Sequence, residues 1–159
     1  MTTGAWILVA AVGLALAVGL WRAATDGRFR GTHEVRGSVR RSSEAETTGR
    51  SSGVETAPGA ALVAEVGGTL GERATLLQFS SAFCAPCRAT RRILADVAQV
   101  VPGVTHVEVD AEHHLEAVRR LGVLRTPTTI VLGADGTEVT RAAGAPRKEQ
   151  VLAALAATD

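Results

Sequence analysis

From Leu62 to the end, the chain predicts an α/β sandwich built around a mixed central sheet. Three observations carry this reading. Strand-like and helix-like segments alternate in the order β-α-β-α-β-β-α, which calls for helices packed on a sheet. The last two strands are joined by Ala134-Asp135-Gly136, a tight turn that makes them antiparallel in an otherwise alternating fold. And a pair of cysteines, Cys84 and Cys87, falls at the first strand-to-helix junction.

Each element has its own signal. TLLQFSS (75–81) is an apolar, β-prone run preceded by the turn-like Gly71-Glu72-Arg73, and reads as a buried strand. From Pro86 to Val101, Ile93, Leu94, Val97, Val100 and Val101 recur at helical spacing. Pro86 lies in the first turn of that helix, where its missing N–H costs nothing, and Pro102-Gly103 ends it. VTHVEVD (104–110) reads as a strand, and EHHLEAVRRLG (112–122) as a short helix stopped by Gly122. PTTIVL (127–132) and TEVTRAA (137–143) are the hairpin strands. Arg147 to Ala157 closes the fold as a helix with Val151, Leu152 and Leu155 on one face. The domain has few aromatic residues, so its core is expected to be aliphatic apart from Phe79 and Phe83.

Ahead of this domain the sequence divides in two. Residues 5–21, AWILVAAVGLALAVGLW, carry no charge over 17 positions and are bracketed by Trp6 and Trp21. That is the short end of a bilayer span with interfacial aromatics at its edges, and it is read as a transmembrane anchor. A cleaved signal peptide would need a positive N-terminal region, which MTTG lacks, and Ala23-Ala24-Thr25 is a weak cleavage site. A buried soluble helix would need a core to enter, and the polar stretch after it supplies none. Arg22, Arg28, Arg30, Arg36, Arg40 and Arg41 outnumber Asp26 and Glu34 on the C-terminal side of the run. Cationic flanks stay in the cytoplasm, so the chain is expected at the cell membrane as a single-pass protein with its C-terminal domain on the cytoplasmic side. Residues 22–61 are rich in Arg, Ser, Thr, Gly and Glu and poor in large apolar side chains. Such a segment cannot offset its ordering entropy and is expected to be a flexible polar linker, leaving 62–159 as the folded domain.

Charge and cysteine usage narrow the function. A net charge of +1 gives nothing that would hold nucleic acid. Two cysteines three positions apart close too small a loop to staple a secreted fold. Their position is chemically apt for something else. A helix N-terminus offers unpaired N–H groups and a partial positive charge, which together stabilise a thiolate. Cys84 is expected at the exposed helix end and Cys87 one turn deeper. That asymmetry suits a nucleophile, Cys84, and a resolving thiol, Cys87, which attacks the mixed disulfide. Arg88 or Arg92 could assist the thiolate, whereas Arg91 and Arg92 also read as solvated helix surface. A zinc site from Cys84, Cys87, His113 and His114 is the rival use of these residues. Adjacent histidines on one helix diverge by about 100°, so no metal is expected.

Phe83-Cys84-Ala85-Pro86-Cys87, at the end of a strand and the start of a long helix, together with the later Arg125-Thr126-Pro127-Thr128 opening another strand, resembles the thioredoxin family. The resemblance covers residues 75–157, and Asp110, Gly136 and Gly144 match further positions of the family pattern. It implies a thioredoxin-like three-layer sandwich and a protein-disulfide reductase or oxidoreductase. No cofactor is expected beyond the redox-active Cys84–Cys87 disulfide. The partners implied are protein disulfide substrates and an upstream thiol electron donor or acceptor. It further implies that Pro127 is cis and packed against the cysteine pair, that Thr126 offers its backbone to an extended substrate, and that Arg125 is a rim contact. Phe83, Ala85 and Pro86 would complete the docking surface.

The departures from the family pattern are specific. The usual buried Asp before the motif is Gln78, which cannot titrate, so water or Glu108 would have to serve in its place. Ser80 and Phe83 stand where the family has Trp, His106 where it has a buried Lys, and Ala85 where it has Gly. The family's extra N-terminal strand could come only from Leu62–Val66, and no insertion fits between Val101 and Val104. Two readings stand beside the reductase: an exported envelope disulfide oxidase or isomerase, and a non-catalytic thioredoxin-fold binding module.

Overall fold

The structure, a computed structural model, describes residues 3–31 and 57–158. Ten elements occur in chain order: helix α1 (Thr3–Thr25), strand β1 (Phe29–Gly31), helix α2 (Pro58–Glu65), strand β2 (Ala74–Ser80), helix α3 (Ala85–Val100), strand β3 (Val104–Asp110), helix α4 (Leu115–Arg120), strands β4 (Thr128–Gly133) and β5 (Glu138–Ala143), and helix α5 (Lys148–Leu155). The sheet order is β1-β5-β4-β2-β3. β2 runs parallel to β3 and antiparallel to β4, and β5 and β1 add on antiparallel. The mixed sheet expected from the sequence is therefore present, with β2 inside it and buried at all seven positions.

Alternation along the strands splits the core in two. Leu77 and Phe79 of β2, Val107 and Val109 of β3, and Ile130 and Leu132 of β4 face Leu62 and Val63 of α2 and Ala117 of α4. Leu76 of β2 and Val131 of β4 face Leu94 and Val97 of α3 and Val151, Ala154 and Leu155 of α5. This is the three-layer sandwich, helices on both faces of one sheet. Each fully buried Leu, Ile or Phe contributes about 1.5–3 kcal/mol by leaving water. The second face bears on the chemistry, because Gln78 and Ser80 share it with Leu76 and so look toward α3.

Several expectations need correction. Leu62–Val66 is not a strand; Leu62 to Glu65 form the second half of α2, and Val66 caps it. Pro58 sits in the first turn and Ala60, Ala61 and Ala64 favour helix, which outweighs the β-branched Val63. The helix expected over 112–122 is shorter, because Asp110 holds the segment before it in turns. Its Oδ1 accepts the Glu112 N–H at 2.8 Å, and its backbone oxygen lies 3.0 Å from His114 Nδ1. Phe83 is not a core residue; it is 99% exposed, while Phe29 packs half-buried against the α3 side of the core.

Phe29 also corrects the linker. Within the expected tether of 22–61, residues 29–31 form an edge strand on β5, and Pro58 already belongs to α2. Residues 32–56 lie outside the described residues. Gly27 makes the turn from α1 into β1 possible. Its φ is +72°, its N–H donates to the Ala143 carbonyl at 3.0 Å, and a Cβ there would stand 2.2 Å from the Ala145 oxygen. Along α1, the large side chains from Trp6 to Trp21 are exposed. Among the described residues no helix is long and apolar enough to cross a membrane, so the transmembrane span expected at 5–21 is not established by the fold.

Candidate functional site: the Cys84–Cys87 pair

The site lies where β2 hands over to α3. Cys84 is the N-cap of α3, with extended backbone (φ −97°, ψ 97°), and Pro86 occupies the first turn. The Cys87 N–H donates to Cys84 Sγ at 3.1 Å, the interaction that a capping side chain makes with an orphan amide. The two sulfurs are bonded to each other as a disulfide, with Cα atoms 5.2 Å apart. Burial is asymmetric, as the motif's position predicts: Cys84 is half-buried, and Cys87 is 3% exposed. Phe83, Ala85 and Pro86 around them are all exposed.

Beneath the pair sits Gln78. It is fully buried and satisfied by three partners. Its Nε2 donates to Ser80 Oγ at 2.8 Å and to the Cys87 carbonyl at 3.0 Å, and its Oε1 lies 3.1 Å from His106 Nε2. A buried amide so placed ties β2, β3 and the first turn of α3 together without carrying charge. His106 has its pKa lowered, first by burial and also by Arg91, with Glu108 pulling the other way. The unfolded chain therefore binds a proton more readily than the fold does. The contribution to stability is complete above the unfolded value near 6.5 and is lost as pH falls from there through the lowered folded value. We expect stability measured by urea unfolding to decline below about pH 6.5 in the wild type. His106→Gln should flatten that slope; an unchanged slope would mean that other groups cause it.

A cleft of about 420 Å³ opens beside the disulfide, lined by Ser80, Ser81, Ala82, Cys84, Cys87, Arg88, Arg91, Glu108 and Asp110. Arg88 and Arg91 both line it, Arg91 with its side chain 56% exposed. Its Nη2 donates to Glu108 Oε1 at 2.7 Å and its Nε to Oε2 at 2.6 Å, a two-point pair. The histidines of the rival zinc set serve Asp110 instead: His113 Nδ1 lies 2.9 Å from Asp110 Oδ2, and His114 bonds the Asp110 carbonyl.

The second loop of the site is Arg125-Thr126-Pro127. The Thr126–Pro127 bond is cis, as the family resemblance implied, and Pro127 is buried. Thr126 Oγ1 lies 3.1 Å from Ser81 Oγ, which brings this loop to the strand–helix junction. Arg125 is half exposed in this loop. Its guanidinium donates to Asp26 Oδ1 at 2.5 Å and to the Ala143 carbonyl at 2.6 Å, fastening the chain between α1 and β1. Ser81, Arg91 and the docked Asp26 are the residues that sequence reasoning missed. Two signals were available: Arg91 comes four residues after Cys87 and so shares its helix face, and alternation puts His106, Glu108 and Asp110 on one face of β3.

Comparison with known proteins decides the lineage. The thioredoxin family profile matches residues 61–157. The chain belongs to the thioredoxin family. The thioredoxin of Alicyclobacillus acidocaldarius subsp. acidocaldarius is 30% identical over 87 residues, spanning 54% of this chain and 82% of that protein. Thioredoxin H-type 1 of Nicotiana tabacum is 33% identical over 78 residues, spanning 49% of this chain and 61% of that one. With three plant thioredoxins the chain spans between 54% and 62% of their length. Among solved structures, the thioredoxin of Fasciola hepatica superposes with a TM-score of 0.51 at 25% identity, covering 62% of this chain and 89% of the other. Within this thioredoxin-family chain, the stretch before residue 61, including α1 and β1, lies outside the matched domain.

Proposed function

We propose that this protein is a thiol–disulfide oxidoreductase that reduces disulfides in protein substrates. The observation that carries the reading is the cap geometry at Cys84. The sulfur of half-buried Cys84 accepts the amide at the head of α3 while bonded to a buried partner. In the reduced protein the same amide and the helix dipole favour a thiolate on Cys84. That thiolate attacks a substrate disulfide, one substrate sulfur leaves as thiolate, and Cys87 then displaces the other, re-forming Cys84–Cys87. An upstream thiol donor returns the pair to the dithiol. Exposed Phe83 and the nearly bare Leu124, which precedes the Arg125-Thr126-Pro127 loop, provide apolar rim for a polypeptide. Thr126 would supply its backbone to that polypeptide. The full-length chain should accelerate the reduction of insulin by dithiothreitol severalfold or more; no acceleration would contradict the proposal.

The N-terminal helix is the second part of the reading. No described helix reaches the length and apolarity of a span, but the large apolar side chains of α1 from Trp6 to Trp21 are exposed. A helix apolar all round needs a non-polar medium. Taken with the uncharged run 5–21 and the arginines after it, this favours a single-pass anchor with the thioredoxin domain on the cytoplasmic side. The chain should stay in the membrane pellet through an alkaline carbonate wash, and release by that wash would count against the anchor.

A further inference from the structure

Resolution by Cys87 requires its thiol proton to go somewhere, and the floor of the site offers no acceptor. Gln78 is an amide with every partner satisfied. His106 stands behind it, bonded to Gln78 Oε1 on the side away from the Cys87 carbonyl. The titratable groups that share the open cleft with both sulfurs are Glu108 and Asp110, with Arg88 and Arg91 as the cations facing them from α3. Asp110 is the weaker base, because the Glu112 N–H at 2.8 Å and then His113 at 2.9 Å stabilise its carboxylate and lower its pKa. Glu108 is placed better. It lies opposite Gln78 in the β2–β3 register, on the α3 side of the sheet. Arg91, one turn beyond Cys87 on the same helix face, grips it at two points. Each carboxylate oxygen has two acceptor positions, so Arg91 leaves one on each for a water.

We propose that Glu108 accepts the Cys87 proton, through one water in the cleft, while the mixed disulfide is resolved. The inference rests on the oxidoreductase reading. The Cys87 S–H bond breaks and its proton passes to the carboxylate. The electron pair left on sulfur forms the bond to Cys84 Sγ, and the bond between Cys84 and the substrate sulfur breaks. The substrate sulfur leaves as a thiolate and is protonated from Glu108 or solvent. The cysteine pair is oxidised by two electrons and the substrate disulfide is reduced by two.

The sign of a charge-removing mutation separates this role from a purely electrostatic one. A carboxylate beside a thiol disfavours the thiolate, so removing its charge alone would speed resolution. Losing a proton acceptor slows it. Full-length reduced protein is mixed with one equivalent of 5,5′-dithiobis(2-nitrobenzoate) in a stopped-flow instrument. The first thionitrobenzoate released reports attack by Cys84, and the second reports resolution by Cys87. Glu108→Gln should slow the second phase about 10-fold at about pH 7 while the first stays within about twofold. The gap should close above about pH 9, where a thiol ionises unaided. Glu108→Asp should recover part of the rate. A second phase that is unchanged or faster at neutral pH, or equally slow at every pH, would overturn the assignment. Absence of the first phase in the wild type would defeat the oxidoreductase reading itself.

Discussion

Cys87→Ser should turn the protein into a trap. With Cys84 still at the head of α3, its thiolate can attack a substrate disulfide, but no second sulfur is left to release the product. Mixed disulfides with partner proteins should accumulate, visible as bands that collapse on addition of reductant, while turnover falls by a factor of about 10³ or more. Cys84→Ser should lose both turnover and trapping, because Cys87 is buried at 3% exposure and cannot meet a protein substrate. Neither variant deletes much volume, so both should fold. If Cys87→Ser traps nothing while Cys84 still reacts with small disulfides, the chain is a binding module and not an oxidoreductase.

Phe79→Ala should give the largest loss of stability. Among the described residues Phe79 is the bulkiest fully buried side chain. It packs in the core formed by β2, β3, β4, α2 and α4. Truncating a buried Phe costs about 3–5 kcal/mol through lost transfer energy and the cavity left behind. That is a large part of the roughly 5–15 kcal/mol that holds a domain of this size. Thermal unfolding should therefore shift downward by about 10 °C or more. Because Phe79 sits one residue before the Ser80–Ser81 step into the active-site turn, turnover should also fall at temperatures where the fold survives. A shift below about 3 °C would mean that the two-faced core assignment is wrong.

How far the sequence can be read depends on which signals are local. β3 is legible to the residue because its period-two pattern VTHVEVD is bounded by Gly103 and by Asp110 turning back on Glu112. The head of α3 is legible because Pro86 and the cysteine spacing together mark a strand-to-helix junction. α2 is easily misread, since a short apolar run with two valines satisfies a strand as well as a helix, and only the upstream Pro58 separates the two. β1 is not legible at all. Three residues in an Arg-rich stretch carry no periodicity; they are held by pairing with β5, and the chain just before them by Arg125 reaching Asp26 across 99 positions of sequence. The candidate site divides in the same way. Cys84, Cys87 and the Thr126–Pro127 bond come from short motifs and family likeness. Arg91 and its pairing with Glu108 depend on the distance between α3 and β3, which only the folded chain sets.

Equilibration of the full-length chain in glutathione mixtures, with the Cys84 and Cys87 thiols trapped by alkylation and counted by mass, tests directly whether the pair is a working redox couple. A working couple gives one reversible two-electron transition in which both thiols appear and disappear together, and loses it in Cys84→Ser. Two thiols that stay reduced across the whole range, or that take up glutathione independently without joining each other, would contradict an oxidoreductase built on this pair.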